Sequence, residues 1–574
     1  MCSDRGDFRF GGCADRKLAN DTIEGWENPL SDHVAYPHLS EAELATVAEF
    51  GEPCSFEPDE ALFNAGDYPF NSYTILSGQV RIIDISSGER IRFVQYGPGY
   101  FSGDIDLFTG RRSVVTCEAE TAVKALRMTP ARLREMFARR PVLGERYWKS
   151  FQRRREILLA SKFRGLGVYG SKTDRHTLEI IDFLFRNAVP HCWLDTSAVD
   201  SAETRQYRSA GQKFPVVTHG SGIIFEAPTK AELAQYIGLR RTLPRKTYDV
   251  LILGGGPSGL GAAVYAASEG LSTLVLDQAG PGGQAGASSR IENYAGFPNG
   301  ISGRDLAHLS YLQALKFGAE FLIPATVSGF TRQDDGSYKI LTAEGDSIDT
   351  RAVVIATGVS YRLLDVAGID ALHGPGVYYN ATNIEAVTCE RGIVHIVGAG
   401  NSAGQAAMFL SQFAERVSLV VRGNSLKGMS TYLAERLLAN DKVDVRYNTQ
   451  VAAIKGIEHL QEIALQHESG ERVWECCQGL FIFIGAKPRT DFLPPQIDKD
   501  AMGYVLTGVD VAARPNWRLE DVPCPLETSM PGVLAAGDCR SGTTKRVAFA
   551  IGDGALAVTC VHRILGRPAS LATA

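Results

Sequence analysis

Between residues 37 and 130 apolar and polar positions alternate in short runs: Tyr73-Thr74-Ile75-Leu76, Val80-Arg81-Ile82-Ile83 and Arg92-Phe93-Val94. Turn residues separate them at Ala65-Gly66-Asp67, Ser77-Gly78, Ser87-Gly88 and Gly97-Pro98-Gly99. A period of two broken by turns at this spacing predicts a small β-barrel or jelly roll. From Pro130 to Arg164 the pattern becomes helical and basic, and Arg153-Arg154-Arg155 reads as a solvated helix face. An α/β module is predicted from Gly165 to Leu239. It has a strand at Val168-Tyr169, an amphipathic helix from Leu178 to Phe185, and strands at Cys192-Trp193-Leu194, Pro215-Val216-Val217-Thr218 and Ile223-Ile224-Phe225. A helix from Lys230 closes it, and the basic, proline-containing Arg240 to Lys246 reads as a linker. From Tyr248 to Leu565 strands, Gly-rich turns and helices follow in βαβ order, the pattern of parallel α/β sheets.

Two strand-turn-helix passages in that last region carry chemistry. Asp249-Val250-Leu251-Ile252-Leu253 runs into Gly254-Gly255-Gly256-Pro257-Ser258-Gly259, which opens an Ala-rich helix. Glycines there permit a tight turn and close backbone approach, and the helix N-terminus attracts a pyrophosphate. The next strand, Leu274-Val275-Leu276, ends in Asp277, placed to accept from a ribose hydroxyl. The second passage is Val394-His395-Ile396-Val397 with Gly398-Ala399-Gly400-Asn401-Ser402-Ala403. Its following strand, Val417 to Val421, ends in Arg422 instead of an acid. Arginine there suits the 2′-phosphate of NADPH, with Lys427 assisting, and the bland alternative is a solvated surface residue.

Composition narrows the classes. A chain of 574 residues is too long for one core and suggests about four folded units. No run reads as approaching the ~20 apolar residues of a bilayer span, so no membrane role is expected. The polar N-terminus, without an apolar signal core, points to the cytoplasm. A net charge of -6 gives no basic excess for nucleic acid. Eleven cysteines include no Cys-x-x-Cys and no cluster at zinc spacing, which argues against a disulfide scaffold and a structural zinc module.

Residues 246 to 565 resemble thioredoxin reductase and its relatives. The fingerprints are joined by Ile355-Ala356-Thr357-Gly358, Leu534-Ala535-Ala536-Gly537-Asp538, Gly282-Gly283-Gln284 and the segment Ile291-Glu292-Asn293-Tyr294-Ala295-Gly296-Phe297-Pro298. The resemblance implies an FAD domain interrupted by an NADPH domain. Gln284, Ile291 and Asn293 would cradle the isoalloxazine, Thr357 and Gly358 would line the FAD site, and Gly537-Asp538 would hold the ribityl chain. Lys545-Arg546-Val547-Ala548 opens the last helix, whose positive end would face the flavin. The family keeps its redox dithiol just before the NADPH fingerprint. Here that segment is Gly376-Val377-Tyr378-Tyr379-Asn380-Ala381-Thr382-Asn383, with asparagine at both thiol positions. Cys389 and the pair Cys476-Cys477 read as core packing rather than substitutes.

The module at 165 to 240 resembles thioredoxin or glutaredoxin, with Phe214-Pro215-Val216-Val217 as that fold's cis-proline turn and Ser171 and Asp174 where thiols would stand. Residues 35 to 164 resemble a cyclic-nucleotide-binding domain. The phosphate cassette stands as Phe101-Ser102-Gly103-Asp104-Ile105-Asp106-Leu107-Phe108 followed by Arg111-Arg112-Ser113. The resemblance implies that Arg112 pairs with the cyclic phosphate, supported by Gly103 and Ser113, while Asp104 replaces the family's ribose-binding glutamate.

The expected architecture is therefore multidomain. A polar tail (1–34) precedes a β jelly roll (35–164), a thioredoxin-like α/β domain (165–240) and two nested Rossmann-like domains, FAD-binding (246–366 and 490–574) and NADPH-binding (367–489). The expected activity is hydride transfer from NADPH to FAD, which needs no side-chain acid or base, then electron delivery to a protein, ferredoxin or quinone acceptor. A homodimer and control by a cyclic nucleotide are implied. The alternatives are a non-catalytic redox and nucleotide sensor, or a thioredoxin-disulfide reductase using other thiols.

Overall fold

The computed structural model describes residues 29–86, 89–160, 165–198, 201–219, 224–240, 243, 247–288, 290–369, 372, 376–379, 381, 383–457, 459–517 and 519–567. Most of the N-terminal tail, Ser87-Gly88, most of the 240–246 linker, Ile223, Asn380 and Thr382 lie outside these residues. The chain forms two compact units, bounded as Met1–Lys172 with Glu179–Arg240 and as Thr173–Leu178 with Arg241–Ala574.

In the first unit, β1 (Glu52–Phe56), β2 (Ala61–Phe63), β3 (Ser72–Ser77), β4 (Val80–Asp84), β5 (Ile91–Tyr96), β6 (Thr116–Ala119) and β7 (Val123–Met128) make two antiparallel sheets. Their orders are β1-β7-β3 and β2-β6-β4-β5. In β7, Val123, Ala125, Leu126 and Met128 are buried while Lys124 and Arg127 are exposed, so most of both faces of this strand is covered. Among the described residues, α1 (Glu41–Ala48), α2 (Asp106–Thr109), α3 (Pro130–Arg139) and α4 (Pro141–Ala160) accompany the sheets. The strand reading of 37–130 missed α1. Its signal was local, a capping box in which Ser40 N donates to Glu43 Oε2 at 2.8 Å and Glu43 N to Ser40 Oγ at 3.4 Å. Helix α4 seats on the barrel through Tyr147, stacked on Phe101 at 3.7 Å between ring centres, and Phe151 edge-on at 5.8 Å.

Its basic run corrects the sequence reading. Arg153 is exposed and pairs with Asp32, but Arg154 and Arg155 are only 7% and 3% exposed. They are not a solvated face, because carbonyls and carboxylates of the cassette take their hydrogens.

The module of this unit has β8 (Leu166–Gly170), α5 (Arg175–Arg186), β9 (His191–Asp195), α6 (Ala202–Ser209), β10 (Val216–Thr218), β11 (Ile224–Glu226) and α7 (Lys230–Ile237). The sheet order is β11-β10-β8-β9, with β8 and β9 parallel and the other pairs antiparallel. The Phe214–Pro215 peptide is cis. Cys192, read as core, is half-buried.

The second unit opens with β12 (Thr247–Leu253), α8 (Pro257–Ser268), β13 (Thr273–Leu276), α9 (Gly303–Lys316), β14 (Glu320–Leu322), β15 (Val327–Arg332), β16 (Tyr338–Thr342) and β17 (Ser347–Ile355). The strands form one sheet ordered β14-β13-β12-β17-β16-β15, parallel from β14 to β17. Strand β18 (Val359–Tyr361) then leads to an inserted lobe made of β19 (Val377–Tyr378), α10 (Asn383–Thr388), β20 (Ile393–Val397), α11 (Asn401–Leu410), β21 (Arg416–Val420), α12 (Thr431–Leu438), β22 (Val443–Arg446), β23 (Thr449–Gly456), β24 (Leu460–His467), β25 (Arg472–Cys476) and β26 (Gly479–Ile482). Its main sheet, β19-β26-β20-β21-β22, is parallel, and β23-β24-β25 is an antiparallel companion. The chain returns through β27 (Ala486–Pro488), paired with β18, and β28 (Val533–Ala535), which joins β17, before α13 (Val547–Leu565).

Against the expectation that no apolar run is long enough to span a bilayer, α13 is long and apolar enough by length and composition. In this fold it packs on α8, so closely that a Cβ added to Gly554 would lie 2.1 Å from the Ser258 carbonyl oxygen.

Candidate functional site

The turn from β12 into α8 can only be made by glycine. Gly254 has φ +112°, and a Cβ there would meet the Ala356 oxygen at 2.4 Å; one on Gly259 would meet the Gly254 oxygen at 1.8 Å. Gly256 is the N-cap of α8 and makes no side-chain cap, with Pro257 at the first helical position, so the first-turn N–H groups remain available. Gly537 sits over this turn, its Cβ position 2.8 Å from Ser258 Cβ, and Gly283 lies 3.0 Å from Gly256 Cα by the same measure. Thr357 and Gly358 follow Ala356, Thr357 Oγ1 donating to the Arg489 oxygen at 2.8 Å. Gln284 Nε2 donates to the Val359 oxygen. The structure thus brings Gly254, Gly256, Pro257, Ser258, Gly259, Gln284, Thr357, Gly358, Gly537 and Asp538 into one neighbourhood. Ile291 is buried and bridges Ile301, whereas Asn293 is exposed.

Asp277 is more than a ribose acceptor. Its Oδ2 accepts from Gly255 N at 2.7 Å and its Oδ1 from Ala279 N and Gly280 N at 2.8 Å each, so it braces the glycine turn. Carboxylate oxygens retain further lone pairs for a hydroxyl. Asp538 takes no hydrogen bond to its carboxylate from a described residue. Burial pushes its pKa above the ordinary carboxylate range, with Lys545 pulling it down and Asp553 pushing it up. Lys545 Nζ donates to Tyr504 Oη at 2.6 Å. Helix α13 begins at Val547-Ala548 with Arg546 as an N-cap whose side chain does not cap the helix. Sequence reasoning missed Asp553, which accepts from Gly537 N at 3.0 Å and pairs with Arg540 at 3.1 Å.

The chemistry of these donors fits a dinucleotide carrying a polyol. Ser258 Oγ, at the first turn of α8, is buried without a hydrogen-bond partner. The turn leaves no room for a Cβ at Gly254, Gly259 or Gly537, and the partly desolvated Asp538, which takes no hydrogen bond from a described residue, follows Gly537 directly.

The second turn repeats the pattern. Gly398 has φ +145° and its Cβ would meet the Phe483 oxygen at 2.5 Å, while Gly400 caps α11 with nothing within 4 Å. Asn401 Oδ1 accepts from Ser430 N and Oγ at 2.7 and 3.0 Å, Ser402 is exposed, and Ala403 is buried in the core beneath. Strand β21 ends at Val420, one residue earlier than expected, and Arg422 and Lys427 are both exposed on the loop beyond it. Gly428 brings that loop back to the fingerprint, its Cβ position 3.4 Å from the Ala399 oxygen.

Most of the thiols near these turns are buried. Cys389 and Cys477 are buried; Cys476, read with Cys477 as core, is exposed. Burial pushes the Cys539 thiol up to about 11 and the Cys560 thiol up to about 12. Among the described residues no His, Cys, Asp or Glu cluster could hold a metal. In the module, Asp174 Oδ2 accepts from Thr177 N at 2.8 Å, a helix-capping contact at a position where thioredoxin-like chemistry would place sulfur.

In the barrel, the cassette is gripped from α4. Arg154 donates from Nε to the Ala35 oxygen at 2.8 Å, from Nη1 to that of Gly103 at 2.7 Å and from Nη2 to that of Phe101 at 2.9 Å. Arg155 Nη2 donates to Asp104 Oδ2 at 2.5 Å and also to Asp106, and Asp104 Oδ1 accepts from Asp106 N at 3.0 Å. Asp104 is therefore engaged from two sides rather than standing open for a ribose. Arg112 is exposed and donates to the Gly66 oxygen at 2.8 Å; Ser113 Oγ donates to the Val115 oxygen at 2.7 Å. The module touches this turn: Arg112 N donates to the Ile237 oxygen at 3.4 Å and Arg111 Nη1 to the Ala188 oxygen at 3.4 Å.

A model of the pyridine nucleotide-disulphide oxidoreductase family matches residues 248–554, and one of the cyclic nucleotide-binding domain matches 53–140. Thioredoxin reductase of Treponema pallidum (strain Nichols) is 33% identical over 311 residues, 54% of this chain and 94% of that protein. The bifunctional thioredoxin reductase/thioredoxin of Mycobacterium leprae (strain TN) is 35% identical over 324 residues, 56% of this chain and 67% of that protein. Among solved structures, Lactococcus lactis thioredoxin reductase in its FR conformation matches with a TM-score of 0.50 at 28% identity, covering 55% of this chain and 99% of that one. The T. acidophilum thioredoxin reductase matches at 0.50 and 28%, covering 56% and 99%.

Proposed function

The chain belongs to the pyridine nucleotide-disulphide oxidoreductases, and from that premise we propose an NADPH-dependent FAD oxidoreductase whose electron acceptor lies outside its own chain. The observation that carries the acceptor reading is Tyr379-Asn380-Ala381-Thr382-Asn383, amides where a thioredoxin reductase keeps its dithiol, in a chain with no Cys-x-x-Cys. Asparagine forms no thiolate.

FAD, when bound, supplies a two-electron carrier between a nicotinamide and that acceptor. The first turn of α8 would present N–H groups to its pyrophosphate, and Ser258 Oγ would gain the partner it lacks. The remaining lone pairs of Asp277 would accept from a ribose hydroxyl, and Asp538 would accept from the polyol. The start of α13, which has no side-chain cap, and Lys545 beside it would supply positive potential that favours the anionic reduced form of a bound flavin. At the second turn, α11 offers the same helix end. Arg422 and Lys427, exposed on the loop beside it, take the 2′-phosphate that distinguishes NADPH from NADH. Binding and alignment are the chain's contribution, and no side-chain acid or base is needed for hydride transfer. The barrel binds a cyclic nucleotide with its phosphate at Arg112. The thioredoxin-like module, with Ser171 and Asp174 where thiols would stand, serves as a spacer or docking element.

A sensor without turnover is the competing reading, favoured by the loss of both redox pairs. Anaerobic mixing of the flavin-loaded protein with NADPH, followed at the visible flavin band, separates them. Rapid bleaching is expected, slower with NADH, and Arg422→Ala should raise the NADPH requirement about tenfold, the loss of one charge-assisted contact. An oxidised flavin that NADPH leaves yellow, with or without cyclic nucleotide, would overturn the enzyme reading.

A further inference from the structure

The two strands that join the inserted lobe to the rest of its unit carry positive charge on one side. Strands β18 and β27 pair antiparallel, with Ser360 opposite Lys487 and Tyr361 opposite Ala486. Arg362 N donates to the Gly485 oxygen and Arg489 N to the Gly358 oxygen, both at 3.0 Å, which extends the ribbon at each end. Side chains alternate between the faces of such a ribbon, so Arg362, Lys487 and Arg489 share one side. All three are exposed, whereas Val359 and Pro488 on the opposite side are buried.

Lys545 joins them from the start of α13. Its Nζ donates to Tyr504 Oη at 2.6 Å, and that hydroxyl donates to the Ala486 oxygen of β27 at 3.4 Å. Arg546 follows it, and both are exposed. Among the described residues, Lys487 alone of these cations forms an ion pair, with Asp491 at 2.9 Å. Elsewhere in this unit exposed cations find carboxylates, as Arg351 does at Asp249, Arg416 at Asp444 and Lys455 at Glu462. Apolar side chains stand open among the unpaired charges. Leu363, beside Arg362, is 65% exposed. Met502 is 64% exposed, and the Cβ position of its neighbour Gly503 lies 3.5 Å from Pro488 Cγ. Apolar contacts within a polar rim make up a protein-binding surface, and charge of one sign selects a partner of the other.

The ribbon is continuous with residues expected around the flavin. Thr357-Gly358 lead directly into β18, and Thr357 Oγ1 donates to the Arg489 oxygen at 2.8 Å. Gln284 donates to the Val359 oxygen of the same strand. With no Cys-x-x-Cys to exchange a disulfide, an acceptor has to approach the flavin itself. We propose that the face of Arg362, Lys487 and Arg489, bordered by Lys545 and Arg546, docks an acidic one-electron carrier protein as the acceptor. One NADPH then reduces two such carriers and releases one proton. The inference rests on the oxidoreductase reading and gives it a partner class.

Anaerobic haem reduction by the full flavin-loaded chain and NADPH tests it, with an acidic b-type cytochrome as the probe. Basic cytochrome c is the control of opposite charge, and benzoquinone an acceptor too small to need docking. At low salt, Arg362→Glu with Arg489→Glu should lower kcat/KM for the acidic cytochrome about tenfold or more, chiefly through KM. The neutral pair Arg362→Gln with Arg489→Gln should fall between, and high salt should shrink both differences by screening. Cytochrome c should not be slowed. Benzoquinone reduction and NADPH bleaching should hold, which shows that the variants fold. Acidic-cytochrome kinetics indifferent to both pairs, or equal losses with all three acceptors, overturn the docking face and leave the oxidoreductase standing. Binding to phosphatidylglycerol vesicles that the Glu pair abolishes, with unchanged acidic-cytochrome kinetics, assigns the face to a membrane and overturns the carrier. A flavin that NADPH leaves yellow removes the oxidoreductase reading, and this inference with it.

Discussion

His395 shows how a single residue carries the cost of its position. It stands on β20, immediately before the second glycine turn, with no exposed surface. Its Nε2 donates to Glu475 at 3.1 Å, and Nδ1 has no partner. Burial holds its pKa below the ordinary 6.5, against the pull of Glu475, and Arg446 and Arg416 nearby act in the same direction as burial. The unfolded chain therefore takes up this proton first as pH falls. Stability from this site is complete above about pH 6.5 and is lost as pH drops toward the folded-state value. The melting temperature of the inserted lobe should fall between pH 7 and pH 5.5, and His395→Gln should flatten that slope; an unchanged slope would remove His395 from the account. Residues of this kind were hidden in the sequence, as were Arg154 and Arg155. Their burial depends on partners about fifty positions away, at Gly103, Asp104 and Asp106. The glycines at 254, 259 and 398 were legible, because sterics alone forbid any other residue there.

At the scale of elements, the α8–α13 pair decides whether the first turn can hold its ligand. The contact depends on Gly554, whose Cβ position lies 2.1 Å from the Ser258 oxygen and 2.8 Å from Ala262 N, both backbone atoms that cannot rotate away. Gly261 faces α13 in the same manner, 2.9 Å from the Ile551 oxygen. Gly554→Ala should force the helices apart and cost about 1–3 kcal/mol, as overpacking does. Because Ser258 and Gly537 share that contact, the purified variant should carry less flavin per chain, read from the ratio of visible to ultraviolet absorbance. Full flavin content with unchanged melting would show that the helices yield more easily than the contact implies. Strand and helix order was readable from hydrophobic period and turn residues. Helix α1 was not, because a short capped helix inside an alternating stretch is distinguished only by its Ser40–Glu43 box. The nature of α13 was also missed, since an apolar core helix and a spanning helix share one composition.

For the molecule as a whole, the question is whether a ligand in the barrel can be felt beyond it. Within the first unit the route is short. Helix α7 ends at Gly238, with φ +80°, and its Cβ position falls 3.2 Å from each of Arg111 Cα, Arg112 N and the Gly110 oxygen. The preceding Ile237 oxygen accepts from Arg112 N, in the turn expected to receive the phosphate. A ligand at Arg112 changes the module only if it binds one arrangement of this contact better than the other, and the coupling must then run both ways. Gly238→Ala strains the left-handed turn by about 1–2 kcal/mol and crowds the cassette backbone, which loosens the contact. Arg112 N is thereby freed for an anionic oxygen, so cyclic-nucleotide affinity should rise about fivefold, the worth of one released hydrogen bond. NADPH bleaching of the flavin without nucleotide should be untouched. An affinity that stays constant while the variant folds normally would mean that module and cassette merely touch. In that case control of the reductase by a cyclic nucleotide would have to take a path other than α7.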